Sequence, residues 1–318
     1  MTIRSPYKYH STNPLAMDTY FLMQSENTKP SDVNSSSSVT IQPMDVTDMP
    51  KAMRKMGWKR SAKFMERWLS TPAWKCPVSW KNGSEIPPGI YIPDENCDDE
   101  TITMSWLMAY PQAKDARDDL IRKRAFSHEG LKQTGRRLKA LGWDGKRGYS
   151  FGRTNIIGHP SMSAREVDQY YQNNYLAVGD NGFTHFFDTL DDVYGSLGTY
   201  TLKSAVIGTA FRADDNKTYI DTSYVGVYVK DFYDFNNDKR DQPLGVWTED
   251  GILVRSEAAI SKVADNTIYK GGKFKKVSIF HNSDFLKYRE KHNKGGDFVV
   301  FSDVMWIKHE NRYPLPFD

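Results

Sequence analysis

The sequence predicts an α+β fold, helical in its N-terminal half and built mainly of antiparallel strands in its C-terminal half. Two observations carry this. Between Pro50 and Leu176 the apolar residues recur at helical spacing, broken by Pro and Gly. From Thr199 the period shortens to two, with turn residues between the runs. Helices followed by strands give an α+β arrangement, where alternating βαβ units would give a parallel sheet.

Residues 1–44 read as a flexible N-terminal arm. They hold Ser35-Ser36-Ser37-Ser38 and many Asn, Thr and Pro, so they bury too little apolar surface to offset their ordering entropy. Residues 45–180 read as a mainly helical region. One helix is expected from Pro50 to Leu69, with Met53, Met56, Phe64, Trp68 and Leu69 set between lysines and arginines and Pro72 and Pro77 as its stop. Residues 72–100 read as irregular, punctuated by Pro87, Pro88, Gly89 and Pro93. Thr101–Tyr110 fits a short strand or the start of a helix. Ala113–Phe126 and His128–Leu141 read as helices, the second ended by Gly142. Gly148–His159 is a Gly-rich loop that matches neither a P-loop nor a dinucleotide fingerprint. Ser163-Ala-Arg-Glu166 has the pattern of a capping box, opening a helix to Leu176.

Residues 181–318 read as a β-rich candidate catalytic domain. Tyr200–Phe211 and Tyr219–Lys230 form a predicted hairpin around Asp214-Asp215-Asn216-Lys217. Phe298–Ile307 is a third expected strand, and Asp284–Lys291 a short helix.

The chain has 318 residues, a net charge of +3 and 13 % aromatic residues, which fits a folded chain with an aromatic-rich core. Charge is unevenly placed. Lys51, Arg54, Lys55, Lys59, Arg60, Lys63, Arg67 and Lys75 face only Glu66, while residues 180–250 are rich in Asp. The basic stretch suits an anionic partner, and equally a solvated helix face. Cys76 and Cys97 form neither a disulfide framework nor a metal-ligand spacing. The first 30 residues contain no apolar signal core, and no run nears the ~18 apolar residues of a membrane span. The protein is therefore expected to be cytoplasmic in the producing cell and to leave it, if at all, without a cleavable signal.

The chemistry concentrates in Asp231-Phe232-Tyr233-Asp234-Phe235-Asn236, at the end of the second predicted strand. In an extended chain Asp231 and Tyr233 share a face, and the turn-rich residues after them could swing Asp234 in beside them. Two carboxylates can hold Mg²⁺, or one can act as a general base. Lys239 and Arg240 would suit a phosphate group. The same pattern is also what a polar strand-end turn shows, with Tyr233 and Phe235 in the core.

Asp231-x-Tyr233-Asp234, followed after a short spacer by Lys239-Arg240, resembles the active-site signature of the colicin M family. That resemblance implies a partly open β-barrel with helices beside it. It also implies metal-dependent cleavage of lipid II between the undecaprenyl chain and the pyrophosphate. Asp231, Tyr233, Asp234 and Arg240 would be catalytic, with Asp231 and Asp234 on the metal and Lys239 and Asn236 on the substrate. Lys239 stands where the family has His, and His281, His292 and His309 are the candidates to supply that role. Asp297 and Asp303 flank the last strand, and either could reach the acidic cluster. Tyr233-Asp-Phe-Asn236, Leu244-Gly-Val-Trp247, Gly295-Gly-Asp-Phe298 and Phe301-Ser-Asp303 also resemble an uncharacterised bacterial family found beside type VI secretion genes. Together these resemblances imply an antibacterial effector toxin acting in the target-cell periplasm. Its partners would be lipid II, a cognate immunity protein and a type VI spike or tube component. The rival readings are a non-enzymatic secretion-associated adaptor or binding protein, and a toxin that binds nucleic acid through its basic helices.

Overall fold

The hairpin expected from Tyr200 onward forms and organises the molecule. The computed structural model describes residues 44–81, 92–179, 190–235, 241, 243–253, 267–270 and 273–317. All of the expected arm except Met44 lies outside them.

The chain opens with α1 (Met49–Lys55), α2 (Lys59–Ser70) and α3 (Val78–Lys81). Strand β1 (Cys97–Ile102) precedes α4 (Met104–Leu107) and α5 (Pro111–Asp119), which runs on as a π-helix over Leu120–Ala125. Next come α6 (His128–Ala140), β2 (Tyr149–Phe151), α7 (Ala164–Tyr170), β3 (Gln172–Val178) and α8 (Asp192–Ser196). The hairpin is β4 (Tyr200–Arg212) and β5 (Thr218–Tyr233). Then follow β6 (Pro243–Thr248), β7 (Gly251–Ile252), β8 (Thr267–Lys270), β9 (Lys273–Lys276), β10 (Ser278–His281), α9 (Asn282–His292), β11 (Phe298–Ser302), β12 (Met305–Lys308) and β13 (Arg312–Pro314).

The hairpin turns where Asn216 takes a left-handed φ of +66°, with its amide donating to Ala213 O at 2.9 Å. On one edge of β5 lie β11, β12 and β13, one after another; on the far edge of β4 lie β3 and β2. A register shift at Ile207/Gly208 bends the long pair. The result is the expected α+β fold, with helices mainly in the N-terminal half and a curled, half-open sheet whose strands are largely antiparallel. The exception is β1, which pairs parallel to β11.

Four local expectations change. The helix expected from Pro50 to Leu69 is two helices, because Gly57 at φ +81° reverses the chain between them. The helix opened by Ser163 ends at Tyr170, and Gln172–Val178 is strand. There Asn173 Nδ2 donates to Ala125 O at 2.7 Å and Asn174 Nδ2 to Arg124 O at 2.9 Å, satisfying carbonyls of the π-helix. The third C-terminal strand is two pieces, β11 and β12, split at Asp303-Val304. Part of the irregular stretch, from Cys97, is the parallel strand β1.

Alternation along β5 sorts the core into two layers. Val227, Val229 and Tyr233 face α2 and α9 through Phe64, Met65, Trp68 and Phe285. Tyr224, Tyr228 and Phe232 face α6 and α7 through Leu131, Leu138 and Val167.

Candidate active site

Strand β5 carries Asp231 and Tyr233 on its α2 face, as an extended chain requires, opposite Val300 and Phe298 of β11. Beyond Tyr233 the strand ends and the chain turns inward, so Asp234 and Phe235 are both buried. Phe235 stacks on Phe285 at 3.9 Å and meets Trp68 edge-on at 4.8 Å.

Asp234 is ion-paired with Lys81, the last residue of α3, which is only 2 % exposed. The segment that brings Lys81 there is anchored on the loop before β11. Ala73 N donates to Asn293 O at 3.2 Å, and bridges join Pro72 to Lys294 and Trp74 to Gly296. Beside this pair lies a second, Arg289 of α9 with Asp297. The Asp297 carboxylate also accepts from Trp68 Nε1 at 3.1 Å and from Cys76 N at 3.0 Å.

The buried Lys81 and the partly buried Arg289 thus face two buried carboxylates, and a further carboxylate, Asp231, stands next to them without an ion pair among the described residues. Burial drives the Asp231 carboxyl well above the usual carboxylate range, and the Asp234 charge adds to this. The Phe232 amide and Lys81 pull the other way but do not prevail. Asp231 is half-buried, so its carboxyl retains a path to solvent.

Tyr233 is placed differently. Its ring packs on Phe298 at 5.1 Å and Phe64 at 5.4 Å, and its hydroxyl lies 3.9 Å from Met65 Sδ. Burial raises its pKa strongly, so the phenol keeps its proton, and its ring is packed into the core at the end of the strand. Asn236, Lys239 and Arg240 lie outside the described residues. Of the flanking acids, Asp297 and not Asp303 joins the cluster; Asp303 accepts from Met104 N at 2.6 Å and is exposed. The three histidines are engaged elsewhere: His281 caps α9, His292 packs on Tyr288 at 4.6 Å and His309 stacks on Phe126 at 4.1 Å.

The pair Asp231 and Asp234 does not fit a divalent cation as placed here. An ammonium already occupies the Asp234 carboxylate, and burial favours the neutral form of Asp231. Among the described residues no group of three or more His, Cys, Asp or Glu gathers as metal ligands. Cys76 is no nucleophile either, because burial pushes its thiol up to about 12, outweighing the pull of Lys81.

Lys81, Arg289 and Cys76 were invisible to motif reading, because they come from segments far from β5 in sequence. The one available signal for Asp297 was its place before the last strand. A second buried network lies on the opposite face. Asp168 of α7 accepts from Lys203 Nζ at 2.7 Å, Lys230 Nζ at 2.6 Å and Tyr228 Oη at 2.8 Å. Burial works against its charge, but the two ammoniums hold the Asp168 carboxyl well below its ordinary range. Burial in turn lowers Lys203 to about 8.

The state of Asp297 has a measurable consequence. Burial, with the Asp234 charge adding to it, pushes Asp297 up to about 6 against the pull of Arg289. An unfolded Asp titrates near ~3.9, so folding favours its protonated form. The stability this contributes is complete below about pH 4 and is lost as pH rises through about 6. In Asp297→Asn the drop in unfolding free energy between pH 4 and pH 7 should shrink by roughly 2–3 kcal/mol. Urea titrations at both pH values would show it; equal pH slopes in the two proteins would refute it.

No helix among the described residues is long and apolar enough to cross a membrane. No curated protein and no solved structure matches the chain. A model of a family of unknown function, DUF6402, matches residues 44–317. The match spans nearly the whole chain, and the protein belongs to the DUF6402 family.

Proposed function

We propose that the chain is an antibacterial effector that hydrolyses lipid II, the undecaprenyl-pyrophosphate-linked peptidoglycan precursor. Asp231 is the observation that carries this reading. It is a half-buried carboxyl whose pKa burial raises, beside an ion-paired one, at the two positions the colicin M-like motif singles out. Carboxyls in opposite states suit acid–base hydrolysis. The curled, half-open sheet is also the architecture which that resemblance implies.

In this scheme water attacks the phosphorus next to the lipid oxygen, and Asp234, held by Lys81, accepts the water's proton. Asp231 gives its proton to the departing undecaprenol oxygen. The products are undecaprenol and a pyrophosphorylated muropeptide precursor, and exchange with solvent restores both carboxyls. Asn236, Lys239 and Arg240 are proposed to hold the pyrophosphate, and Mg²⁺ arrives as the counterion of that group. Delivery by a type VI spike or tube, action in the target periplasm and neutralisation by an immunity protein complete the proposal.

Purified protein should release the pyrophosphorylated fragment from lipid II in Mg²⁺ buffer. Asp231→Asn should reduce the rate by at least about 100-fold while keeping the wild-type melting profile. No release by wild type, or equal release by the variant, rules the scheme out. A non-enzymatic secretion-associated binding protein is the second reading. It is favoured by Tyr233 and Asp234 being built into the core. Such a protein would stay toxic, or stay inert, irrespective of Asp231. Nucleic-acid binding has less support, since Arg54 and Lys55 of the basic stretch are paired with Glu66 and Asp250.

A further inference from the structure

The loop between β2 and α7 carries a feature that the proposed chemistry does not use. Ile156 is completely exposed and Ile157 is 77 % exposed, whereas the next most exposed large aliphatic side chain among the described residues, Ile279, is at 42 %. Adjacent β-branched apolar residues standing this far into water need an explanation.

The loop holds them there through an ordered turn. Asn155 Oδ1 accepts from Ile157 N at 3.1 Å and from His159 N at 3.0 Å. Asn155 N donates to His159 O at 2.8 Å, Gly158 N donates to Asn155 O at 2.9 Å, and Thr154 bridges to Pro160. At the loop's base Gly152 sits at φ +87°, and a Cβ there would lie 2.6 Å from Ile207 Cβ, so the loop is seated tightly on β4. A closed turn presents both isoleucines outward and gives neither a route back into the core.

We propose that this tip is a wedge that inserts Ile156 and Ile157 into the acyl layer of an anionic phospholipid surface. Size and charge select that occupant. Two side chains cover far less than the roughly 800 Å² per partner of a stable protein interface. Insertion into a bilayer needs depth rather than area, and a two-residue apolar tip supplies it. Arg153 and His159 flank the tip, both exposed, and residues 152–163 carry no carboxylate. Arg153 also pairs with Glu166 at 2.7 Å, an exposed ion pair at the loop's base that headgroup phosphates can exchange for.

His159 packs near Tyr224, and Tyr224 lies seven residues before Asp231 on β5, about 23 Å along an extended strand. Removing the isoleucines therefore leaves the aspartate cluster untouched. The wedge also stands apart from the hydrolase reading, because its test uses vesicles free of lipid II.

The full chain should co-sediment with phosphatidylglycerol–phosphatidylcholine vesicles. The double variant Ile156→Ser/Ile157→Ser should partition at least about tenfold less, while Val78→Ser behaves as wild type. Ile156→Trp should shift its emission to the blue on vesicle addition and be quenched by brominated acyl chains. The wedge is overturned if wild type stays in the supernatant or the double variant sediments equally. An Ile156→Trp emission that ignores the vesicles overturns it too. So does a vesicle-free dimer that the double variant loses, which would make the tip a protein contact.

Discussion

Lys81→Met should lower the unfolding free energy by about 3–5 kcal/mol, and Asp234→Leu by a similar amount. Each change removes a buried ion-pair partner, from Asp234 at 5 % exposure or from Lys81 at 2 %. The aromatic surroundings of Asp234, Phe235 and Trp68 among them, solvate the remaining charge poorly. The double variant Lys81→Met/Asp234→Leu should recover most of the loss, since an apolar pair in a buried ion-pair site is often neutral or better. Urea unfolding of wild type, both singles and the double measures the coupling directly. Strict additivity, or single losses under about 1 kcal/mol, would show that the pair does not hold the segment before it to the end of β5. The same variants separate stability from chemistry, for a folded double variant without hydrolytic activity is what the proposed role of Asp234 requires.

Trp68→Ala should cost about 4–6 kcal/mol, the larger part from the cavity and the remainder from a lost hydrogen bond. The indole is fully buried, meets Phe235, Phe285 and Tyr288 within 6.1 Å, and lies under the Arg289 guanidinium at 5.3 Å. Its Nε1 donates to Asp297 Oδ1, so one side chain joins the aromatic core to the buried charges. Trp68→Phe keeps most of the volume and deletes only the donor, so it should cost about 1–3 kcal/mol. Calorimetry or urea midpoints for the two variants, compared at one pH, would test the division. Equal costs would mean that the hydrogen bond, and not the packing, dominates.

The long hairpin was legible because each arm states its own period and the turn states its own chemistry. Tyr200–Arg212 and Thr218–Tyr233 are long runs rich in β-branched and aromatic residues, and Asp-Asp-Asn-Lys lies between them. Helix α6 was legible for a similar reason, with Ser127 capping Gly130 N at 3.2 Å. Gln172–Val178 was not. Its local pattern continues a helix, and only the free edge of β4 and the π-helix carbonyls make it a strand. Strand β1 is similar, because a parallel partner 200 residues away leaves no mark in local spacing.

For the candidate site, the sequence by itself determined that Asp231 and Tyr233 share one face of a strand and that the chain can turn at Asp234. Period-two geometry and turn propensity are local, so a short segment contains them. Only the tertiary structure decided what those residues meet: Lys81 on Asp234, Met65 on Tyr233, and the Arg289–Asp297 pair beside them. Desolvation and charge pairing depend on which distant segments fold over a residue. For that reason the raised pKa of Asp231 follows from the assembled core and not from the motif.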